Sequence, residues 1–377
     1  METQDLYSSS FSSSDIEHPS TIKSSRRFIL SSSDESSDTS IEVIARRRPK
    51  CRRIVYSFDS ECEAENIPNN LEDQNRFELL LRMLHFVNNE NANIEDRLYK
   101  IAPIIQKLKE NYAKYYNPPE IICIDESIIP FRGRVVFRQY IKQKRHRYGV
   151  KVFKLCFKPG YTYNFEIYCG HQHGNEKITP KSVAVSLCEN IFDKGHTLCV
   201  DNWYTSIDLA QEFLARNTHV IGTIRSNRRK ISKEVVQKKL QRGEVFAKEN
   251  RDGITLMKWK DKRDVLMLST KHSVETVTVR KHGSDRVKPK LIVDYNDAKS
   301  SVDISDQMTA YCNPLRKTLK WYKKVALEFF LNTSVVNAWI LYNTRHHESV
   351  SILDQEVNLV HNNFLAHSYF PFVHVSL

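Results

Sequence analysis

Glycine is scarce in this sequence, with 10 residues among 377, and a glycine-rich phosphate-binding loop is missing. Neither of the two common nucleotide-binding patterns, G-x-x-x-x-G-K and G-x-G-x-x-G, occurs, so we expect no nucleotide cofactor. Cysteine pairs at metal-binding spacing are missing as well, because the eight cysteines are scattered and no C-x-x-C pair exists. Several of them lie within apolar segments, which predicts buried, reduced thiols in an intracellular protein.

Long uninterrupted apolar runs are also missing. The longest apolar stretch, residues 325–342, is interrupted by Glu328, Asn332 and Asn337. This interruption favours a buried helix over a membrane span. The first residues are polar and rich in serine, unlike a secretory signal peptide. We therefore expect no membrane partner.

The charge of the chain is strongly positive. There are 57 lysines and arginines against 45 acidic residues, which gives a net charge of +12 and a pI of about 9.2. Such a balance is typical of a protein that binds a polyanion. Residues 1–66 are rich in serine and poor in large apolar groups, which predicts a disordered tail. The basic run at residues 46–53 is either a nuclear-import or nucleic-acid contact, or a solvated block of charge.

Hydrophobic spacing predicts an α/β fold. Apolar residues recur at three- and four-residue steps between residues 75 and 112, which indicates two amphipathic helices. The order β-β-β-α-β-α-β follows, with helices that start at residues 180 and 206 and strands at 121–129, 148–157, 163–169, 196–200 and 219–224. We infer a mixed sheet of strand order 3-2-1-4-5 with flanking helices. The basic, polar composition and short alternating segments of residues 225–290 predict an inserted β-rich module. Helices are predicted at 302–311 and 321–345.

Aspartates lie within or beside three of these elements. Asp125 is expected near the middle of the first strand and Asp201 at the end of the fourth, its predicted neighbour in the sheet. Asp303 lies in the first turn of a late helix, with Asp306 on the same helix face. Converging carboxylates repel each other unless divalent cations neutralise them, and Mg²⁺ prefers such oxygen ligands. The pattern predicts a site for phosphodiester chemistry with Asp125, Asp201 and Asp303 as ligands of two ions about 3.5–4 Å apart.

Each aspartate taken alone also has a structural interpretation. Asp125 suits a turn at a strand end, Asp201 an Asx turn, and Asp303 a helix N-cap. A second metal candidate is the segment at residues 169–173, which contains one cysteine and two histidines. Its flanking glycines favour a strand end and a loop instead.

Basic residues follow each of the acidic segments along the chain. Three basic blocks beside three carboxylates indicate a channel for the DNA phosphate backbone, although a solvated charged face explains any single block. The residues predicted to contact DNA are Arg132, Arg134, Arg138, Lys142, Lys144, Arg145, Lys151, Arg225, Arg228, Arg229, Arg316, Lys317 and Lys320.

Together these segments resemble the piggyBac transposases and the piggyBac transposable element-derived proteins over roughly residues 75–343. The matching motifs are Ile124-Asp125-Glu126 with Phe131-Arg132-Gly133-Arg134, Tyr148-Gly149-Val150-Lys151, Asp201-Asn202-Trp203-Tyr204-Thr205-Ser206, and Val302-Asp303 with Asp306-Gln307-Met308. The resemblance implies a ribonuclease H-like core interrupted by a β-rich insertion domain. It also implies Asp125, Asp201 and Asp303 as a catalytic triad, Asp306 as a further acidic residue of the site, and Mg²⁺ or Mn²⁺ as the cofactor.

The resemblance also implies how the chain is divided. The expected regions are a serine-rich and basic tail at 1–66, a helical remnant of a dimerisation and DNA-binding domain at 67–119, a first part of the catalytic core at 120–224, an insertion domain at 225–293, a second part of the core at 294–345, and a tail without the cysteine-rich zinc module at 346–377. Relative to the family, the chain is expected to be truncated at both ends.

Ser300 and Ser301 depart from the family pattern, which has two glycines at these positions. If the glycines adopt positive φ, the serines are expected to strain the backbone and displace Asp303. The shortened helical region and the missing zinc module disfavour autonomous transposition.

The leading hypothesis is a nuclear protein that binds double-stranded DNA and that can form a homodimer. If the acidic site is active, the protein is expected to carry out metal-dependent DNA cleavage or strand transfer. The alternative is a domesticated, catalytically idle DNA- or chromatin-binding module. A truncated product without a stable function is the third interpretation.

Overall fold

The computed structural model describes residues 76, 79, 83–88, 95–142, 146–170, 178–281, 284–311, 318 and 320–346. All of these residues belong to one compact unit that spans residues 53–377. The predicted tail at 1–66, its basic run and residues 347–377 lie outside the described residues. The same is true of four predicted DNA contacts, Lys144, Arg145, Arg316 and Lys317.

Strands form the central sheet of the fold. In chain order the described strands are β1 (Ile121–Pro130), β2 (Arg138–Tyr140), β3 (Tyr148–Phe157), β4 (Tyr161–Ile167), β5 (Thr197–Val200), β6 (His219–Thr223), β7 (Val245–Glu249), β8 (Thr255–Lys260), β9 (Asp264–Ser269), β10 (Thr276–Lys281) and β11 (Ser284–Pro289).

Helices flank this sheet and connect its strands. The described helices are α1 (Ala102–Tyr115), α2 (Pro180–Cys188) with a 3₁₀ turn (Glu189–Ile191), α3 (Ile207–Leu214), α4 (Lys233–Gln237), α5 (Lys290–Ala298), α6 (Ser301–Tyr311), α7 (Trp321–Leu327), a π-helical turn (Glu328–Thr333) and α8 (Ser334–His346).

The main sheet has the strand order β2-β3-β1-β5-β6-β9-β8-β7, and β4 pairs with β3. Strand β1 runs antiparallel to β3 and parallel to β5, so the predicted mixed α/β architecture is confirmed. Strands β7, β8 and β9 come from the region predicted to be an inserted module, and they continue the same sheet through the pairing of β9 with β6. Strands β10 and β11 form a separate two-stranded sheet.

Local sequence signals explain where the helices next to the central strands begin. Thr179 and Ser182 form a capping box at the start of α2, which has proline at its first position. Ser206 caps α3 by accepting a hydrogen bond from the Leu209 amide at 3.2 Å. Strand β5 between them is buried along its whole length, as expected for a short parallel strand inside a covered sheet.

The predicted helix at 321–345 is present as α7, the π-helical turn and α8. By length and composition alone this segment could cross a membrane. Instead it packs into the core, because Phe329 stacks on Phe165 with ring centroids 3.7 Å apart. The Tyr112 hydroxyl also donates to the Phe329 carbonyl at 2.9 Å. The helix is therefore partly buried, with one side in the core and the remainder only partly covered.

Two elements beside the central strands were not predicted. Strand β2 has only three residues, too few for a period-two pattern to show. Helix α5 follows directly on β11 and buries Leu291 and Ile292. The predicted buried thiols are observed, since Cys123, Cys156, Cys188 and Cys199 are free and buried.

Candidate functional site

Asp125 and Asp201 occupy equivalent positions on neighbouring parallel strands. Ile124 of β1 is in register with Val200 of β5, and the two aspartates are the next residues along their chains. Adjacent strands lie about 4.8 Å apart. Burial raises the pKa of the nearby Tyr204 phenol, and the charges of Glu126, Asp125 and Asp201 raise it further. The register therefore places Asp125 and Asp201 side by side on neighbouring strands, as predicted.

Asp201 begins a tight loop after β5. Its Oδ1 accepts a hydrogen bond from the Trp203 amide at 2.9 Å, which is the Asx turn that the local sequence allowed. The Thr205 hydroxyl donates to the Asp201 carbonyl at 2.7 Å. Burial raises the pKa of the Asp201 carboxyl despite the hydrogen bond from the Trp203 amide, and the charge of Glu126 raises it further. One oxygen of the Asp201 carboxylate is therefore already hydrogen-bonded within the loop.

Two arginines that were predicted to contact DNA hold this loop. Arg225 Nε donates to Asn202 Oδ1 at 2.9 Å. Arg228 Nη2 donates to the carbonyl oxygens of Asn202 at 2.9 Å and Trp203 at 2.5 Å. Arg225 and Arg229 are exposed, whereas Arg228 is partly buried.

Asp125 lies within β1 rather than at its end, so the interpretation as a strand-end turn residue is wrong. Its Oδ1 accepts a hydrogen bond from the Glu126 amide at 2.7 Å. Because side chains alternate along a strand, Asp125 shares a sheet face with Ser127. On β3 its direct antiparallel partner is Lys154.

An ion pair joins this face of the sheet to α6. Lys154 Nζ lies 2.8 Å from Asp306 Oδ1, and the lysine side chain is only 4% exposed. The Ser127 hydroxyl donates to the same Asp306 oxygen at 2.8 Å. Burial by itself lowers the pKa of the Lys154 ammonium, but the adjacent Asp306 carboxylate outweighs it and leaves the pKa above its ordinary value. Lys154 is therefore a buried, charged lysine.

Asp303 is placed differently from Asp306, although both lie on α6. Its side chain is exposed, whereas α6 buries Ser301, Val302 and Ser305 against the sheet. Within the described part of the chain, Asp303 makes no side-chain hydrogen bond or ion pair. Of the two helix carboxylates, Asp306 is the one that contacts side chains of the strands.

The expected strain at Ser300 and Ser301 is not observed. Neither serine has a positive φ. The Ser301 hydroxyl donates to the Ala298 carbonyl at 2.8 Å, so the serine stabilises the junction between α5 and α6. The exposure of Asp303 thus does not come from a strained backbone.

The fit of a divalent cation can be judged from the donors. Carboxylates such as Asp125 and Asp201 have the right chemistry for Mg²⁺. However, the described residues contain no group of three or more His, Cys, Asp or Glu side chains placed to hold a metal ion. Asp303 points to solvent and Asp306 is bound to Lys154, so the predicted ligand set does not fit a preassembled metal site. The two histidines of the candidate at 169–173 lie outside the described residues.

The opposite sheet face carries a second ion pair. Lys151 Nζ lies 2.6 Å from Glu126 Oε1, and it also lies 4.7 Å from the ring centroid of Phe153 and 4.9 Å from that of Trp203. Lys151 is one of the predicted DNA contacts, and in this structure it neutralises Glu126. The sequence placed Lys154 only among the basic residues that follow Asp125 and gave Glu126 no role of its own. Strand alternation around Asp125 does separate the two sheet faces on which they lie.

Exposed cations cluster around β2, at the edge of the sheet. We call this set the β2 basic surface: its members are Arg132, Arg134, Arg138, Lys142 and Arg147. None of them forms an ion pair with an acid among the described residues. The rings of Tyr140 and Tyr148 lie 4.9 Å apart within this surface and are 53% and 47% exposed. The Arg138 guanidinium lies 5.4 Å from the Tyr148 ring centroid. Lys320, a predicted contact elsewhere in the chain, is also exposed.

Comparisons with known proteins agree with this geometry. A protein-family model described as Transposase IS4 matches residues 66–339. The chain is 25% identical over 315 residues to PiggyBac transposable element-derived protein 3 of Homo sapiens, with 79% of this chain and 53% of that protein covered. It is 25% identical over 292 residues to PiggyBac transposable element-derived protein 2 of Homo sapiens, with 71% and 48% covered. The chain spans about half the length of these relatives.

A solved structure shares the fold. A cryo-EM structure described as a piggyBac transposase synaptic complex with hairpin DNA is similar with a TM-score of 0.68 and 25% sequence identity. The match covers 78% of this chain and 65% of that one. The resemblance inferred from the motifs is confirmed. The chain belongs to the Transposase IS4 family, in its piggyBac type.

Proposed function

We propose that this chain binds double-stranded DNA through the β2 basic surface. The observation that carries the proposal is a set of four exposed arginines and one exposed lysine at one sheet edge, none paired with a described acid. Such cations bind phosphates and release counterions from DNA. Exposed aromatic rings beside them add contacts that basic residues alone do not provide.

The family supports the same assignment. The similar solved structure is described as a complex with hairpin DNA. We propose that the core of this chain is ribonuclease H-like, with residues 225–293 as its β-rich insertion, and that the protein acts in the nucleus. A homodimer is part of the proposal, and sedimentation equilibrium of the full chain tests it directly.

Fluorescence anisotropy with a labelled DNA duplex tests DNA binding. The double variant Arg132→Ala/Arg134→Ala is expected to bind more weakly, and the slope of log affinity against log salt should fall by about 2, since each lost phosphate contact removes about 0.9. The matched control is Lys262→Ala/Arg263→Ala, which removes the same charge from the turn between β8 and β9. These two side chains are exposed and lie several strands away from β2. Equal losses in both double variants would contradict the proposed surface.

Metal-dependent DNA cleavage or strand transfer is a second candidate function. It is favoured by the equivalent positions of Asp125 and Asp201 on adjacent strands, and transposases generally use divalent metals. The test is incubation of hairpin or nicked DNA with the protein and Mg²⁺ or Mn²⁺. Cleavage that Asp201→Asn abolishes would support this activity. DNA binding without cleavage would support the catalytically idle module.

A further inference from the structure

Lys154 is a buried cation on the sheet face that carries Asp125. We call this face, with Ser127 beside Asp125 and with Asp306 covering it from α6, the acidic face. We propose that Lys154 is a built-in counter-ion of the acidic face, which neutralises Asp306 and keeps a divalent cation from binding there in this fold.

The position of Lys154 explains why its charge matters. Its side chain is 4% exposed, so water contributes little to the solvation of the ammonium group. A charge buried in this way is costly unless it is paired and hydrogen-bonded. The Asp306 carboxylate at 2.8 Å supplies that partner. Removing the lysine would leave the carboxylate without its positive neighbour.

A divalent cation would compete with Lys154 for the same oxygen. Asp306 Oδ1 already accepts hydrogen bonds from both Lys154 and the Ser127 hydroxyl. Two positive charges a few ångströms apart repel each other strongly where water is scarce. Because Lys154 and Asp125 are direct cross-strand partners, the lysine also places positive charge beside the second carboxylate of the face.

The same contacts set the rotation of α6. Ser305 directly precedes Asp306 on α6, and its hydroxyl lies 2.9 Å from that of Thr162 on β4. These contacts turn Asp306 toward the strands and leave Asp303 exposed. Glu328, another carboxylate that acts on Lys154 electrostatically, is paired with Lys324 at 3.0 Å. Asp306 is therefore the direct partner of Lys154.

Mn²⁺ binding to the full chain tests this inference. Electron paramagnetic resonance measures the concentration of free Mn²⁺, and the thermal unfolding temperature shows whether bound Mn²⁺ stabilises the folded protein. Lys154→Met removes the charge and keeps most of the side-chain volume. It is expected to bind Mn²⁺ on the order of tenfold more tightly than the wild type. The gain should disappear in Lys154→Met/Asp306→Asn. Lys154→Arg keeps the charge and should bind Mn²⁺ as the wild type does.

Lys258→Met is the matched control. Lys258 is also nearly buried, at 8% side-chain exposure, and pairs with Asp264 at 3.0 Å on strands far from the acidic face. This variant should gain no Mn²⁺ affinity. If Lys154→Met is unfolded alone, Mn²⁺ is expected to restore its thermal transition. A folded Lys154→Met with wild-type affinity, an unfolded one that Mn²⁺ does not rescue, or an equal gain in Lys258→Met would overturn the inference. None of these results depends on DNA binding.

Discussion

Asp306 and Asp303 offer a sharp comparison, because they are two aspartates three residues apart on one helix. Asp306 accepts hydrogen bonds from Lys154 and Ser127, both at 2.8 Å. Asp303 is exposed in the first turn of the helix. We expect Asp306→Asn to destabilise the protein clearly and Asp303→Asn to have little effect.

The magnitude follows from the burial of the partners. Removing one member of a fully buried ion pair costs about 3–5 kcal/mol. The Asp306 side chain is 33% exposed and asparagine still offers one acceptor oxygen, so we expect about 2 kcal/mol. Among the described residues Asp303 has no side-chain partner, so its expected contribution is that of a first-turn acid with the helix dipole, about 0.3–1 kcal/mol. The predicted difference between the two variants is therefore more than about 1 kcal/mol.

Urea unfolding followed by circular dichroism measures this difference, with both variants and the wild type in the same buffer. The double variant Lys154→Met/Asp306→Asn is expected to recover part of the loss, because it leaves no unpaired buried charge. Equal free energies of unfolding for the two single variants would refute the assignment of Asp306 as the partner of Lys154. So would a larger loss in Asp303→Asn.

Three further predictions concern residues around the sheet. Burial raises the pKa of the Glu166 carboxyl from its usual 4.5. The folded state therefore favours the neutral acid, and stability should fall as pH rises above 4.5 and through the raised pKa. Glu166→Gln should lack this loss in thermal melts recorded at increasing pH. Asn337→Ala should cost about 2–4 kcal/mol in urea unfolding, because Asn337 bonds both backbone groups of Thr162 at 2.8 and 2.9 Å. Gly222→Ala should cost about 1–3 kcal/mol in the same assay, since the added Cβ would lie 2.5 Å from the Val200 carbonyl oxygen. Wild-type pH dependence in Glu166→Gln, or unchanged unfolding in the other two variants, would contradict these expectations.

The predicted elements correspond closely to those in the structure where the pattern is local. Strand β3 has the predicted bounds, and the strands that carry or precede Asp125 and Asp201 differ from prediction by one residue at an end. Apolar alternation and run length report directly on which residues are buried. The third strand begins two residues earlier than predicted, at Tyr161. Element ends depend on turns and on neighbouring strands, which hydrophobic spacing does not record.

The metal site illustrates where local reasoning stops. The residue types and the adjacency of two strands predicted that Asp125 and Asp201 approach each other, and the register agrees. The orientation of α6 was not available from the sequence, because it depends on how Ser305 and Asp306 meet Thr162, Ser127 and Lys154. For the same reason, the ion pair between Lys151 and Glu126 was not available from the sequence.

By itself, the sequence determined the mixed α/β elements, the basic character and the family of this protein, since these depend on residue type and on spacing within short segments. Only the tertiary structure decided that Lys154 neutralises Asp306, a residue 152 positions away in the chain, and that Asp303 is exposed. The physical reason is that the environment of a charged side chain is set by the groups packed around it. Those groups come from distant segments, so their electrostatic balance exists only after the chain has folded.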